Sequence, residues 1–401
     1  MINKALTEYT RGDLVYSKES GLYRHNYQQD VQLVLCESEN LSSITNAIEK
    51  NYAVLAVVNV NWQSQFVEQN LQRLKISANE TQKKALKVVV YQIESPIYLR
   101  TIDNRYNVSL PENLTSLLSK QCVLYTTSLE QFFYSAGLIA GPKVLQEIIS
   151  LKITSPVEYD VGDMAGSKGW VDFNEMFQVA NWCSDWAVMR NAEYLPDDFW
   201  GNDKDVDILC ANLSDFINAT NAEAKNLSDA NFRVKIDNQM VDVDARVVGD
   251  DYYDQAWQRQ MLKAKRIENT VPWLSKEDYF YSLFYHARVH KQSVKAVYIE
   301  RLQALANELS INFSHDVLYS NTLSAKLLDE FFKQNNYFIT YPNDYACYEN
   351  INRSVVNRSD CVTNQGVPWQ FVVRRLRHDI FIFACKLAPR DLKDTIKRLL
   401  K

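Results

Sequence analysis

The chain has 401 residues, 46% of them hydrophobic and 23% charged, with a net charge of −5. That length suits two or three domains, and the acidic balance excludes a general electrostatic grip on nucleic acid. Glycine and proline number only 10 and 9, which excludes long disordered linkers.

The opening MINKALTEYTRGD has no apolar signal region, and no apolar run approaches the ~20 residues of a transmembrane segment. Seven cysteines are scattered without a CxxC pair, which suits small buried hydrophobes in a reducing compartment. A soluble, cytoplasmic protein is expected.

Over residues 31–138 two patterns alternate. VQLVLC (31–36), YAVLAVVNV (52–60), KVVVYQI (87–93) and CVLYTT (122–127) are short, apolar and rich in β-branched residues. Such runs predict strands covered on both faces. LSSITNAIEKN, WQSQFVEQNLQRLKI, LTSLLSK and LEQFFYSAGL carry helical spacing between and after them. The alternation predicts a Rossmann-like α/β domain with a parallel sheet over 1–160. No GxGxxG or Walker loop follows any of these strands, so a scaffold or partner-binding role is expected there.

The small, glycine-rich GDMAGSKG (162–169) predicts a boundary. FNEMFQVANW (173–182) follows as a helix, WAVMR (186–190) as a strand, and KDVDIL as another. RVKID (233–237) and MVDVDARVV (240–248) predict a hairpin. Residues 161–272 thus form an expected α+β core, and 273–401 a mainly helical C-terminal region.

The stretch GNDKDVDILC (201–210) sets Asp203, Asp205 and Asp207 among strand formers. Side chains alternate along a strand, so Asp205 and Asp207 share one face and Val206 and Ile208 the other. In the second hairpin strand Asp242, Asp244 and Arg246 oppose Val241, Val243, Ala245 and Val247. If the strands are neighbours, several carboxylates converge, and unpaired they would raise each other's pKa. A divalent cation removes that conflict; Mg²⁺ prefers hard oxygen ligands and keeps positions open for phosphate. The opposing reading is a pair of solvated edge strands.

KDVDIL followed by VDARVV resembles the polymerase-β nucleotidyltransferase superfamily, over roughly residues 170–290. The resemblance implies that Asp205 and Asp207 open a Mg²⁺ (or Mn²⁺) site and that Asp244 completes it beside Arg246, with Asp242 the rival for third place. The usual Gly-Ser turn ahead of the D-x-D is replaced here by MRNAEYLP (189–196), where Arg190 and Asn191 could hold phosphate through side-chain donors. The longer run, RNAEYLP…NDKDVDIL, VDARVVGDDYYD and EDYFYSLFYHARVHK, is similar to nucleotidyltransferase-like proteins of bacterial surface-polysaccharide gene clusters, with the LicD and fukutin type a more distant branch.

SKED (275–278) resembles a capping box ahead of that last helix. Phe280, Leu283, Phe284 and Ala287 fit an apolar face, with Tyr279, His286 and His290 nearer the other sides. The histidines have the spacing of a zinc pair, but the Glu of HExxH is missing. His286, His290 and Lys291 either pack or meet an anionic substrate. RRLRH (374–378) reads as a solvated helix face or a phosphate contact.

The leading expectation is a Mg²⁺-dependent transferase that moves a group from a nucleotide or nucleotide-sugar donor to a glycan or sugar-phosphate acceptor in cell-surface polysaccharide synthesis. The alternatives are transfer from an NTP to a small molecule or protein, and a binding protein that keeps the fold without the chemistry.

Overall fold

A computed structural model describes residues 14–17, 22–25, 29–76, 85–100, 106–150, 155–201, 205–225, 231–291, 294–363 and 371. The chain folds as two compact units, Met1–Val247 with Leu262–Ser275, and Val248–Met261 with Lys276–Lys401.

Three sheets build the first unit. The smallest joins β1 (Leu14–Ser17), β2 (Leu22–His25), β6 (Tyr98–Arg100) and β7 (Tyr106–Val108), all antiparallel. The second runs in the order β8 (Cys122–Tyr125), β3 (Gln29–Glu37), β5 (Leu86–Glu94), β4 (Ala53–Val60), β9 (Val157–Val161). The expected parallel sheet forms only in part: β4 and β9 pair in parallel, and the other described neighbours in this sheet are antiparallel. Helix α1 (Leu41–Glu49) does return the chain so that β3 and β4 run the same way. The next strand, β5, then inserts between them antiparallel to both, giving a split β-α-β unit. Strand identity was legible in composition; neighbour order is a long-range choice that composition does not encode.

The β3 and β5 runs are apolar throughout because both faces are covered. Val34, Cys36, Val89 and Tyr91 pack toward α1 and α3 (Glu112–Gln121), through Ile44, Ile48, Leu114 and Leu118. Leu33, Leu35, Val88 and Val90 face the other way. There they join Phe132, Ala136 and Ile139 of α4 (Leu129–Ser150), a helix broken at Gly141 (φ 72°) before Pro142. Each such aliphatic side chain contributes about 1.5–3 kcal/mol on burial. The short α2 (Val67–Arg73) lies between β4 and β5 in sequence.

The third sheet runs β12 (Glu223–Ala224), β13 (Asn231–Ile236), β14 (Gln239–Val247), β11 (Asp205–Cys210), β10 (Trp186–Val188), β16 (Val271–Trp273), β15 (Arg266–Glu268). Its inner face sends Val206, Ile208, Val241, Val243 and Ala245 into the same core as α4. Helices α5 (Phe173–Cys183) and α6 (Leu213–Thr220) contribute Phe177 and Phe216. Asp172 caps α5 by accepting from the Glu175 amide, and Asn212 caps α6 through the Asp215 amide. Gly137 of α4 meets the Trp182 ring of α5 so closely that a Cβ would lie 2.8 Å from it.

The second unit is helical: part of α7 (Gln255–Ala264), then α8 (Lys276–Tyr285) continued by one π turn, His286–His290, then α9 (Ala296–Leu309), α10 (His315–Tyr319), α11 (Asn321–Asn335), α12 (Tyr345–Glu349) and α13 (Arg353–Val356). The expected two-faced helix over 279–290 is instead buried on every side. Tyr253, Trp257, Tyr285, Phe331 and Phe332 form an aromatic core around it. The Trp257 indole donates to Asp278 at 2.9 Å, which satisfies both buried polar groups. Among the described residues no helix is long and apolar enough to cross a membrane.

Candidate metal and phosphate site

The carboxylates sit on the outer face of the third sheet because the apolar alternates are drawn inward. β11 and β14 are adjacent and parallel, in a register that sets Asp205 opposite Asp242 and Asp207 opposite Asp244. β14 and β13 are antiparallel, with Arg233 opposite Asp242 and Asn231 opposite Asp244. Glu223 of β12 lies opposite Arg233. A row of charge therefore crosses four strands, Asp205–Asp242–Arg233–Glu223, beside a second row, Asp207–Asp244–Asn231.

Most of these carboxylates have a cation of their own. Arg190, just past β10 and only 6% exposed, grips Asp207 with both arms of its guanidinium; the Nε–Oδ2 distance is 3.0 Å. The Met189 amide donates to the Asp207 carbonyl at 2.9 Å and fixes the approach of the two strands. Arg246, buried at 8%, reaches the Asp244 carboxylate at 3.2 Å. Asp242 accepts from Lys225 at 2.6 Å and from Arg233 at 2.9 Å. The Lys225 hydrogen bond, helped by Arg233, holds the Asp242 carboxyl below its usual range. Asp205 opens the strand and is exposed.

Arg246, expected beside Asp244, is thus joined by Arg190, Lys225 and Arg233 as cations on the aspartates. Arg190 follows the antiparallel β10, and its approach to Asp207 depends on a pairing that the sequence does not display. Its donors go to a carboxylate rather than to an open phosphate position. Asn191 sits in the left-handed region at φ 58°, where asparagine is among the tolerated residues. Arg233 and Lys235 were missed as site residues, although the alternation of NFRVKI already puts both on the outer face.

The donors suit a hard cation in type, since all are carboxylate oxygens on one face. Asp207 and Asp244 keep further acceptor directions beside those their arginines occupy. Among the described residues, however, no three His, Cys, Asp or Glu side chains stand close enough together to hold a metal ion as they are oriented.

His286, His290 and Lys291 belong to the second unit. His286 Nδ1 and the Tyr252 hydroxyl share a 2.8 Å hydrogen bond, and both rings are buried. The His290 ring, 2% exposed, packs on Tyr252 with centroids 4.0 Å apart. Both histidines are part of the unit's packing, while Lys291 is exposed. Asp203 and the RRLRH run (374–378) lie outside the described residues. Comparison of the chain with protein-family models, curated proteins and solved structures gives no match.

Proposed function

We propose that the protein is a divalent-metal-dependent transferase using a phosphate-bearing, nucleotide-linked donor, and that it acts in cell-surface glycan assembly. The observation that carries this reading is the register of β11 on β14. It sets Asp207 directly opposite Asp244, with Asp205 two residues along on the same face. That is the grouping which the resemblance of KDVDIL and VDARVV to nucleotidyltransferases implies.

Asp205, Asp207 and Asp244 would hold Mg²⁺ or Mn²⁺. A bound divalent ion supplies charge compensation for donor phosphate oxygens. Arg190 positions Asp207 through its two-armed contact and fixes the direction of that carboxylate. Arg246 reaches the Asp244 carboxylate through one guanidinium nitrogen and would add positive charge against donor phosphate oxygens. Asp205 is exposed and therefore the carboxylate best placed to take a proton from an acceptor hydroxyl.

The test is calorimetry with Mg²⁺ and Mn²⁺ on the whole chain, followed by mass spectrometry of the acceptor after turnover. Asp205→Asn should keep the fold, because the side chain is exposed, and should abolish metal-dependent transfer. Full transfer in excess chelator would overturn the reading.

One observation favours a second reading. Asp207, Asp242 and Asp244 are each neutralised by Arg or Lys, so the face is stable without a metal. A binding protein that retains the fold but not the chemistry would look the same. Metal binding without turnover of any nucleotide-linked donor supports it.

A further inference from the structure

The glycine-rich turn GSKGW, whose residues 166–170 connect β9 to α5, does more than separate segments. It closes over the β12–β13 end of the third sheet. The Trp170 amide donates to the Lys235 carbonyl at 2.8 Å, and the Asp237 amide donates to the Trp170 carbonyl at 3.0 Å. The Trp170 indole donates to the Thr220 carbonyl at 2.7 Å. Asn221 donates to the Gly166 carbonyl at 3.1 Å and accepts from Gln69 at 2.8 Å. Beneath the turn, Ser167 donates to Asn70 at 2.8 Å, and the buried Arg73 donates to the Asn218 and Ala219 carbonyls at the end of α6. The turn is thus fixed from several sides rather than free to collapse.

It encloses a cleft of about 340 Å³. That volume is at the small end of ligand pockets, about 300–1,000 Å³, the scale of a monosaccharide derivative. Three cations line it: Lys168, Arg233 and Lys235. Lys168 is 3.0 Å from Asp163, and Arg233 leans on Asp242, but Lys235 has no ion pair among the described residues. Among the described residues of the lining, Glu223 is the one acidic side chain. Phe66 and Met240 add an apolar rim, and Met240 is 49% exposed, unusual for so large an apolar side chain. A cationic cleft with an apolar rim suits a small anion carrying a ring.

Position links the cleft to the carboxylates. Arg233 and Lys235 share the outer sheet face with Asp242 and Asp244, and the Arg233 row ends at Asp205. Two strand spacings separate Arg233 from Asp205, on the order of 10 Å. A phosphate held by Lys235 and its neighbours would direct the rest of a sugar along the row toward Asp205. The turn is also shaped for Lys235: at Gly169 (φ 100°) a Cβ would lie 3.0 Å from the lysine stem.

We infer that this cleft binds the phosphate group of a sugar phosphate, as the acceptor of the transfer. The identification as acceptor rests on the proposed function; the binding of a phosphorylated sugar does not.

The test is titration calorimetry of the whole chain, without divalent ions, using glucose 1-phosphate, inorganic phosphate and glucose as probes. Glucose 1-phosphate should bind, inorganic phosphate should compete more weakly, and glucose should not bind. Lys235→Met should weaken glucose 1-phosphate binding at least 10-fold with unchanged melting temperature, since the side chain is exposed. Gly169→Ala should weaken it as well. Lys326→Met, an exposed lysine on α11, should leave it unchanged. No binding of either phosphate, or equal loss in Lys235→Met and Lys326→Met, would overturn the inference. Inorganic phosphate binding as tightly as glucose 1-phosphate would overturn the assignment to a sugar phosphate. Because these titrations contain no metal, their failure is distinguishable from failure of the metal-dependent reading, which is tested by chelation and Asp205→Asn.

Discussion

Asp207 and Asp244 face each other across parallel strands, and each carboxylate is matched by its own guanidinium, Arg190 for the first and Arg246 for the second. Two like charges one strand apart repel, and the two arginines offset that repulsion.

The Arg190–Asp207 pair is the most buried of these contacts, with side chains 6% and 9% exposed. Removing one partner of such a pair costs about 3–5 kcal/mol, because the other charge is left in low dielectric. Arg190→Ala is expected to lose that much in urea unfolding. The double variant Arg190→Met/Asp207→Leu should recover most of it. A double variant no better than Arg190→Ala would show that the loss has another origin.

The aspartates should separate in their effect on metal affinity. Asp244→Asn and Asp205→Asn are expected to lower Mg²⁺ or Mn²⁺ affinity at least tenfold by calorimetry, about 1.4 kcal/mol. Asp242→Asn should change it little, because that carboxylate already serves Lys225 and Arg233 at a more open position. The structural cost of Asp242→Asn should be about 0–1 kcal/mol, as for other exposed ion pairs. A larger metal defect in Asp242→Asn than in Asp244→Asn would reverse the assignment.

Asp30 gives the first unit a pH dependence. Burial pushes its carboxyl up to about 6, against the pull of hydrogen bonds from Tyr98 and Gln32. The folded chain therefore holds a proton that the unfolded chain releases near pH 4. Stability from this group is complete below pH 4 and is lost as pH rises through about 6. Relative to Asp30→Asn, the native chain should lose on the order of 3 kcal/mol between pH 4 and pH 7 in denaturant melts. Parallel pH profiles for the two chains would refute this.

Gly137→Ala brings opposed terms into the α4–α5 contact. Alanine gains about 1 kcal/mol in helix propensity. Its Cβ would lie 2.8 Å from the Trp182 ring, which is largely buried and has little room to retreat. Overpacking typically costs about 1–3 kcal/mol, so a net loss near 1 kcal/mol is expected in thermal unfolding. A gain in stability would mean that the ring shifts freely.

Strand identity and side-chain parity were readable in the amino-acid order. The D-x-D and V-D-V-D alternation put Asp205, Asp207, Asp242 and Asp244 on one face, and β11 and β14 do lie side by side. The insertion of β5 between β3 and β4 was not readable, because local spacing is silent on which strand a neighbour will be. The helix over 276–290 misled for a different reason. Its histidines and tyrosines look polar in sequence, yet aromatic partners and the Tyr252–His286 hydrogen bond make burial on every side tolerable. Arg190 could be flagged as a phosphate ligand from its residue type alone; only the strand pairing reveals that Asp207 engages it.

The hairpin β15–β16 has a consequence for how the chain is made. β16 pairs with β10 in parallel at Val188↔Trp273, so an inner strand of the third sheet gains its second neighbour only from residues 271–273. During vectorial synthesis that edge, carrying the fully buried Trp186, stays open while the intervening 82 residues (189–270) leave the ribosome. Unpaired apolar edges invite association between nascent chains. Truncation at residue 247 would make this transient exposure permanent, whereas a chain ending at 275 carries every described strand of the sheet.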